Sequence, residues 1–95
     1  MSGLIYDVQY ALVATNTAIA PFGGARLHGV LVTVATATNI ITIRNGLTAT
    51  GDIVVSIPAS SAVNTFVDMK GIRMNTGIFA DFTGTGTIVV MYSTG

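Results

Sequence analysis

Apolar and polar residues alternate with a period of two along most of this chain, and that period constrains the fold more than any other feature. Successive side chains of a strand point to opposite faces, so such alternation is the pattern of a half-buried strand. Leu4, Tyr6, Val8, Tyr10 and Leu12 fall on one face of a first strand, with Asp7 and Gln9 on the other. His28, Val30, Val32 and Val34 line one face of a second, opposite Leu27, Leu31 and Thr33. Ile41 and Ile43 oppose Thr42 and Arg44 in a third, and Asn45-Gly46 follows as a short turn signal. Ile53, Val55 and Ile57 alternate with Val54 and Ser56 until Pro58 closes the strand. Phe66–Met69 and Ile72–Met74 are two further short strands. Asn75-Thr76-Gly77 is a turn before Ile78–Phe82, and Thr83-Gly84-Thr85-Gly86 is a hairpin turn before Ile88–Tyr92.

The residue types agree with the period. Thr, Val and Ile dominate, and their branched β-carbons suit a pleated sheet better than a helix. Glu is absent, and Lys and Gln occur once each, at Lys70 and Gln9. About eight short strands separated by turns predict an all-β, eight-stranded antiparallel β-sandwich with jelly-roll-like connections. A chain of 95 residues holds one domain, 1–95. Residues 14–25, with Pro21 and Gly23-Gly24, read as one long irregular stretch. They set off residues 1–24 as an N-terminal strand or arm plus loop, with 25–95 as the main sandwich.

Several strands are apolar on both faces, notably Val30–Val34, Ile53–Ile57 and Ile88–Tyr92. A two-sheet sandwich covers only one face of each sheet, so the second face calls for another protein. Charge does not offer an alternative. Only 8% of the residues are charged while 51% are hydrophobic, too few to keep so much apolar surface in water. A membrane helix needs about 20 apolar residues in a row, and here Thr, Gly and Asn interrupt every run. A membrane barrel needs about eight longer strands, which one such chain barely holds, although an oligomer could share one. Met1-Ser2-Gly3 lacks a basic n-region, so no secretory signal peptide is expected. A protein partner, most simply copies of the chain itself, is the expected resolution.

Material for chemistry is scarce. Cys is absent, which removes disulfides, thiolate metal sites and thiol catalysis. The four acids, Asp7, Asp52, Asp68 and Asp81, are scattered. His28 is the single His. It would hold a metal only on a symmetry axis where three copies converge, and the plainer reading is a half-buried strand residue. Ser56, Ser60 and Ser61 follow no nucleophile pattern, and Gly84-Thr85-Gly86 lacks the Lys and helix of a phosphate loop. The three Tyr and four Phe are spread out and fall mostly on core faces, without the Trp that favours sugar stacking. Asp balances the separated Arg26, Arg44, Lys70 and Arg73, so no stripe for nucleic acid forms. Arg is favoured at protein interfaces, where it grips carboxylates with two hydrogen bonds. Arg26, Arg44 and Arg73, with Tyr6 and Tyr10 of the arm, are therefore the candidate interface residues. No catalytic, cofactor-binding or metal-binding residue is expected, nor a small-molecule substrate.

Four segments also carry a resemblance: Ala25-Arg26-Leu27-His28-Gly29-Val30, Thr42-Ile43-Arg44-Asn45-Gly46, Gly71-Ile72-Arg73-Met74-Asn75-Thr76-Gly77-Ile78-Phe79 and Thr87-Ile88-Val89-Val90-Met91-Tyr92. In this order they resemble small all-β, jelly-roll-like virion structural proteins of tailed phages, such as capsid decoration or cement proteins. The resemblance is one of strands and turns over residues 25–93 and assigns no site residue. It implies a non-enzymatic protein of the capsid surface, synthesised in the host cytoplasm. Such a protein self-associates, as a trimer for preference, and binds between major capsid protein subunits to stabilise the head. The alternative it implies is a tail or fibre component with a receptor- or glycan-binding role.

Overall fold

A computed structural model describes residues 8–34, 40–57, 62–84 and 86–94 of the chain. Leu4, Tyr6, Asp7, Pro58, Ser60, Ser61 and Thr85, all used in the sequence reading, lie outside the described residues. Eight strands follow in order: β1 (Gln9–Val13), β2 (Thr17–Ala20), β3 (Ala25–Val34), β4 (Ile41–Asn45), β5 (Asp52–Ile57), β6 (Phe66–Met74), β7 (Ile78–Phe82) and β8 (Thr87–Ser93). They form two four-stranded sheets, β1-β8-β3-β6 and β2-β7-β4-β5, antiparallel throughout. The pairings β1–β8, β2–β7, β3–β6 and β4–β5 are nested, as in one long hairpin rolled up on itself. That nesting makes the sandwich a jelly roll.

The core lies between the sheets. The first contributes Val13, Ala25, Leu27, Val30, Val32, Met74, Ile88 and Val90, and the second Ala20, Ile41, Ile43, Ile57, Ile78 and Ala80. Each large aliphatic residue so buried contributes about 1.5–3 kcal/mol. Ile41 and Ile43 point inward from β4 with Thr42 and Arg44 on the other face, as the alternation predicts.

Four local expectations are corrected. The stretch 14–25 is not wholly irregular, because β2 runs through it and pairs with β7. Its four residues, one of them in a bulge between Ala18 and Ala20, are too short and too Ala-rich to show a period. The strands expected at 66–69 and 72–74 are one strand, β6. Lys70 and Gly71 interrupt its alternation with φ of 55° and 70°, a left-handed pair that glycine tolerates and that forms a bulge opposite His28. One strand found and two merged leave the expected total of eight unchanged. β7 and β8 do not form the expected hairpin, since they belong to different sheets. Finally, Asn45-Gly46 opens a longer connection, 46–51, rather than a two-residue turn.

Strand β3 shows why alternation alone misplaces faces. Leu27 and Val30 are three residues apart, yet both are fully buried. The register slips between Leu27 and Gly29 against both β6 and β8. A bulge at His28 therefore adds one residue and brings Leu27 back to the inner face.

Candidate interaction surface

The outer face of the first sheet follows from register and burial. Ala11 and Val13, Ile88 and Val90, Val30 and Val32, and Val67 face or pack against the core. Their alternates must point outward. Leu12 pairs with Val89, Val89 with Leu31 and Leu31 with Phe66, so an unbroken apolar row crosses all four strands. The next row is Tyr10, Met91, Gly29 and Asp68. The ring of Phe66 reaches diagonally over Gly29, which has no side chain to oppose it. Tyr10 is 74% exposed, Leu12 67% and Phe66 50%. The face is thus broad, apolar and open, with Asp68 at its β6 margin.

One end of this face is polar. Ser93, Arg26 and Arg73 share a row. Arg26 donates from Nη1 to the Gly71 carbonyl at 3.1 Å, which fastens the β6 bulge to β3. His28 Nε2 stands 2.8 Å from the Ser93 hydroxyl, and Ser93 is buried. This pair is a structural hydrogen bond inside the sheet, with no open cleft above the hydroxyl. Arg73 is exposed at the edge strand.

The second sheet presents a different outer face. Arg44 and Asp81 form an ion pair, Nε to Oδ2 at 3.1 Å, with both side chains largely buried. Arg44 also donates from Nη1 to the Gly51 carbonyl at 2.8 Å. Thr42 lies between Asp81 and Ser56 in the cross-strand register. Arg44 is flanked in the register by two large apolar residues of this face, the exposed Ile53 at the β5 edge and the half-buried Phe79 of β7.

The five candidate interface residues are therefore not brought together. Tyr10 stands at the centre of the apolar face's open edge, Arg26 and Arg73 stand at that face's polar end, and Arg44 is committed to Asp81 on the other sheet. Tyr6 lies outside the described residues. Leu12, Leu31, Phe66, Val89 and Met91 carry most of the surface but were not singled out. The signal for three of them was present in the doubly apolar strands β3 and β8. Among the described residues there is no pocket, no group of three potential metal ligands and no helix long and apolar enough to cross a membrane. No protein-family model, curated protein or solved structure matches the chain.

Proposed function

We propose that this chain is a non-enzymatic structural protein of a phage virion, a capsid decoration or cement protein that braces neighbouring major capsid subunits. The observation that carries this reading is the continuous apolar face across β1, β8, β3 and β6. Monomeric proteins rarely leave so much contiguous apolar surface in water. The ordered jelly roll behind it supports a building-block role, and the resemblance described above supplies the virion. The physical mechanism is mass action. A protein that binds the assembled shell and not its free subunits stabilises the shell by RT ln(1 + [L]/Kd) at every site.

Co-sedimentation with shells of the same virus, stripped of this protein, tests the reading. Saturable binding that raises the shell's melting temperature is the expected result. A chain that stays in the supernatant at every concentration overturns it.

A further inference from the structure

We propose that Asn45 is a latent modification site, an asparagine whose deamidation the fold holds shut and which reacts only when the clasp around it opens.

The reactive pair is set by the sequence. Of the asparagines Asn16, Asn39, Asn45, Asn64 and Asn75, Asn45 is the one followed by glycine. Deamidation begins when the main-chain nitrogen of the next residue attacks the side-chain amide carbon, Cγ. That nitrogen gives up its proton, the new C–N bond forms, and the old amide nitrogen leaves as ammonia, closing a cyclic imide. Water then opens the imide at either carbonyl. One product is aspartate, and the other is isoaspartate, whose main chain runs through the former side chain. The net change is the gain of water and the loss of ammonia, with no redox step. A following glycine favours ring closure because it has no side chain to crowd the nitrogen and lets the peptide turn. The other asparagines precede Thr or Ile, whose branched β-carbons crowd it.

In the fold both reacting groups are held away from each other. The Gly46 amide, the nucleophile, donates to the Gly77 carbonyl at 3.2 Å. The Asn45 Oδ1 accepts the Thr76 amide at 2.8 Å and the Gly77 amide at 3.4 Å. Gly77 thus grips the nucleophile with its carbonyl and the side chain with its amide. Asn45 itself pairs with Asp52 at the end of the β4–β5 ladder. Gly46 is buried, and a β-carbon on it would stand 2.9 Å from the Gly51 Cα, so packing removes the freedom that makes glycine reactive here. Donors on a carbonyl oxygen polarise it and would by themselves help attack. These donors come from the turn that also holds the nucleophile. Ring closure needs the Gly46 nitrogen to leave the Gly77 carbonyl and Cγ to swing towards it, off both amides. Losing these hydrogen bonds together slows the step on the order of a hundredfold.

The gate is the end of the sandwich where the 46–51 connection meets the 75–77 turn. Arg44 braces the connection through its bond to the Gly51 carbonyl. Modification follows the population in which this end has locally opened. The step is one-way. Aspartate still offers an oxygen to Thr76, but isoaspartate adds a main-chain carbon between positions 45 and 46 and displaces the Gly46 amide from Gly77.

The full chain is incubated at mildly alkaline pH, folded and in denaturing urea. Peptide mass spectrometry reads the exchange of amide for acid at each asparagine, and enzymatic methylation detects isoaspartate. In urea Asn45 should react fastest of the asparagines, and in the folded chain on the order of a hundredfold more slowly than in urea. Thr76→Pro deletes the donor of the shorter bond to Oδ1 and should raise the folded rate about fivefold while leaving the rate in urea unchanged. If that variant does not fold, a urea series on the unaltered chain replaces it, and the Asn45 rate should rise before the circular dichroism signal falls. Equal rates in folded and unfolded chains, another asparagine reacting faster in urea, or a folded rate that responds neither to Thr76→Pro nor to urea below the transition overturns the proposal.

Discussion

The ring of Phe66 lies across Gly29 on the neighbouring strand, so close that a β-carbon at position 29 would stand 2.6 Å from its Cε1 and Cζ atoms. Those two atoms are the far end of an exposed side chain, which can swing away, and the nearest backbone atom, the Val67 oxygen, stands at 3.3 Å. Gly77 is also crowded, but by backbone: a β-carbon there would meet the Ala20 oxygen at 2.7 Å and the Gly46 oxygen at 2.8 Å. Gly29→Ala is therefore expected to change stability by less than about 1 kcal/mol, and Gly77→Ala to cost about 3 kcal/mol. Urea denaturation midpoints of the two variants check the contrast, and equal losses would contradict it.

Two leucines on opposite faces of one sheet give a second prediction. Leu27 is fully buried and Leu12 stands in water. Leu27→Ala opens a cavity and should cost about 2–5 kcal/mol. Leu12→Ala should change the folding free energy of a dilute, dissociated chain by no more than about 0.5 kcal/mol. Thermal unfolding at low and high protein concentration separates folding from association.

The Arg44–Asp81 pair is largely buried, so removing one partner strands the other. Asp81→Ala is expected to destabilise the fold by about 1–3 kcal/mol. Arg44→Met added to it should recover part of that loss, because the uncompensated guanidinium is gone. Chemical denaturation of the four members of the cycle measures the coupling.

Asn45 joins two connections at the same end of the sandwich. Its Oδ1 accepts the Thr76 amide at 2.8 Å and the Gly77 amide at 3.4 Å, which fixes the β6–β7 crossing against the end of β4. Asn45→Ala should cost about 1–2 kcal/mol by leaving those donors without an acceptor. Asn45→Asp keeps the acceptor and should retain most of the stability. Amide hydrogen exchange at Thr76 and Gly77 reads the effect directly.

The sandwich was legible because alternation is plain in β4 and β8, whose inward residues Ile41 and Ile43, and Ile88 and Val90, are β-branched and two apart. Alternation failed where the backbone adds a residue. The bulge at His28 puts Leu27 and Val30 on one face, and the left-handed Lys70-Gly71 pair made one strand look like two. Both depend on tertiary pairing that no short window of sequence contains. β2 escaped because two of its four residues are alanine. The doubly apolar strands β3 and β8 were the signal for an apolar outer face, on which Leu31, Val89 and Met91 lie. Charge was a poorer guide: Arg44 suggested an outside partner, but its partner is Asp81, 37 positions along the chain on a strand that only the roll brings beside β4.

The rolled topology also fixes when the apolar face comes into existence. Among the described strands, β4–β5 is the one pairing between sequence neighbours, and every other pairing joins distant segments. The face needs β8 in place before β1 and β3 can flank it, and β8 is the last of the described strands. A ribosome must therefore release the chain through β8 before Tyr10, Leu12 and Leu31 can share a surface. Neighbouring nascent chains on one message cannot dock through a face that neither yet has. Assembly through this face is thereby deferred until β8 has been made, and the order of strands acts as a clock on association.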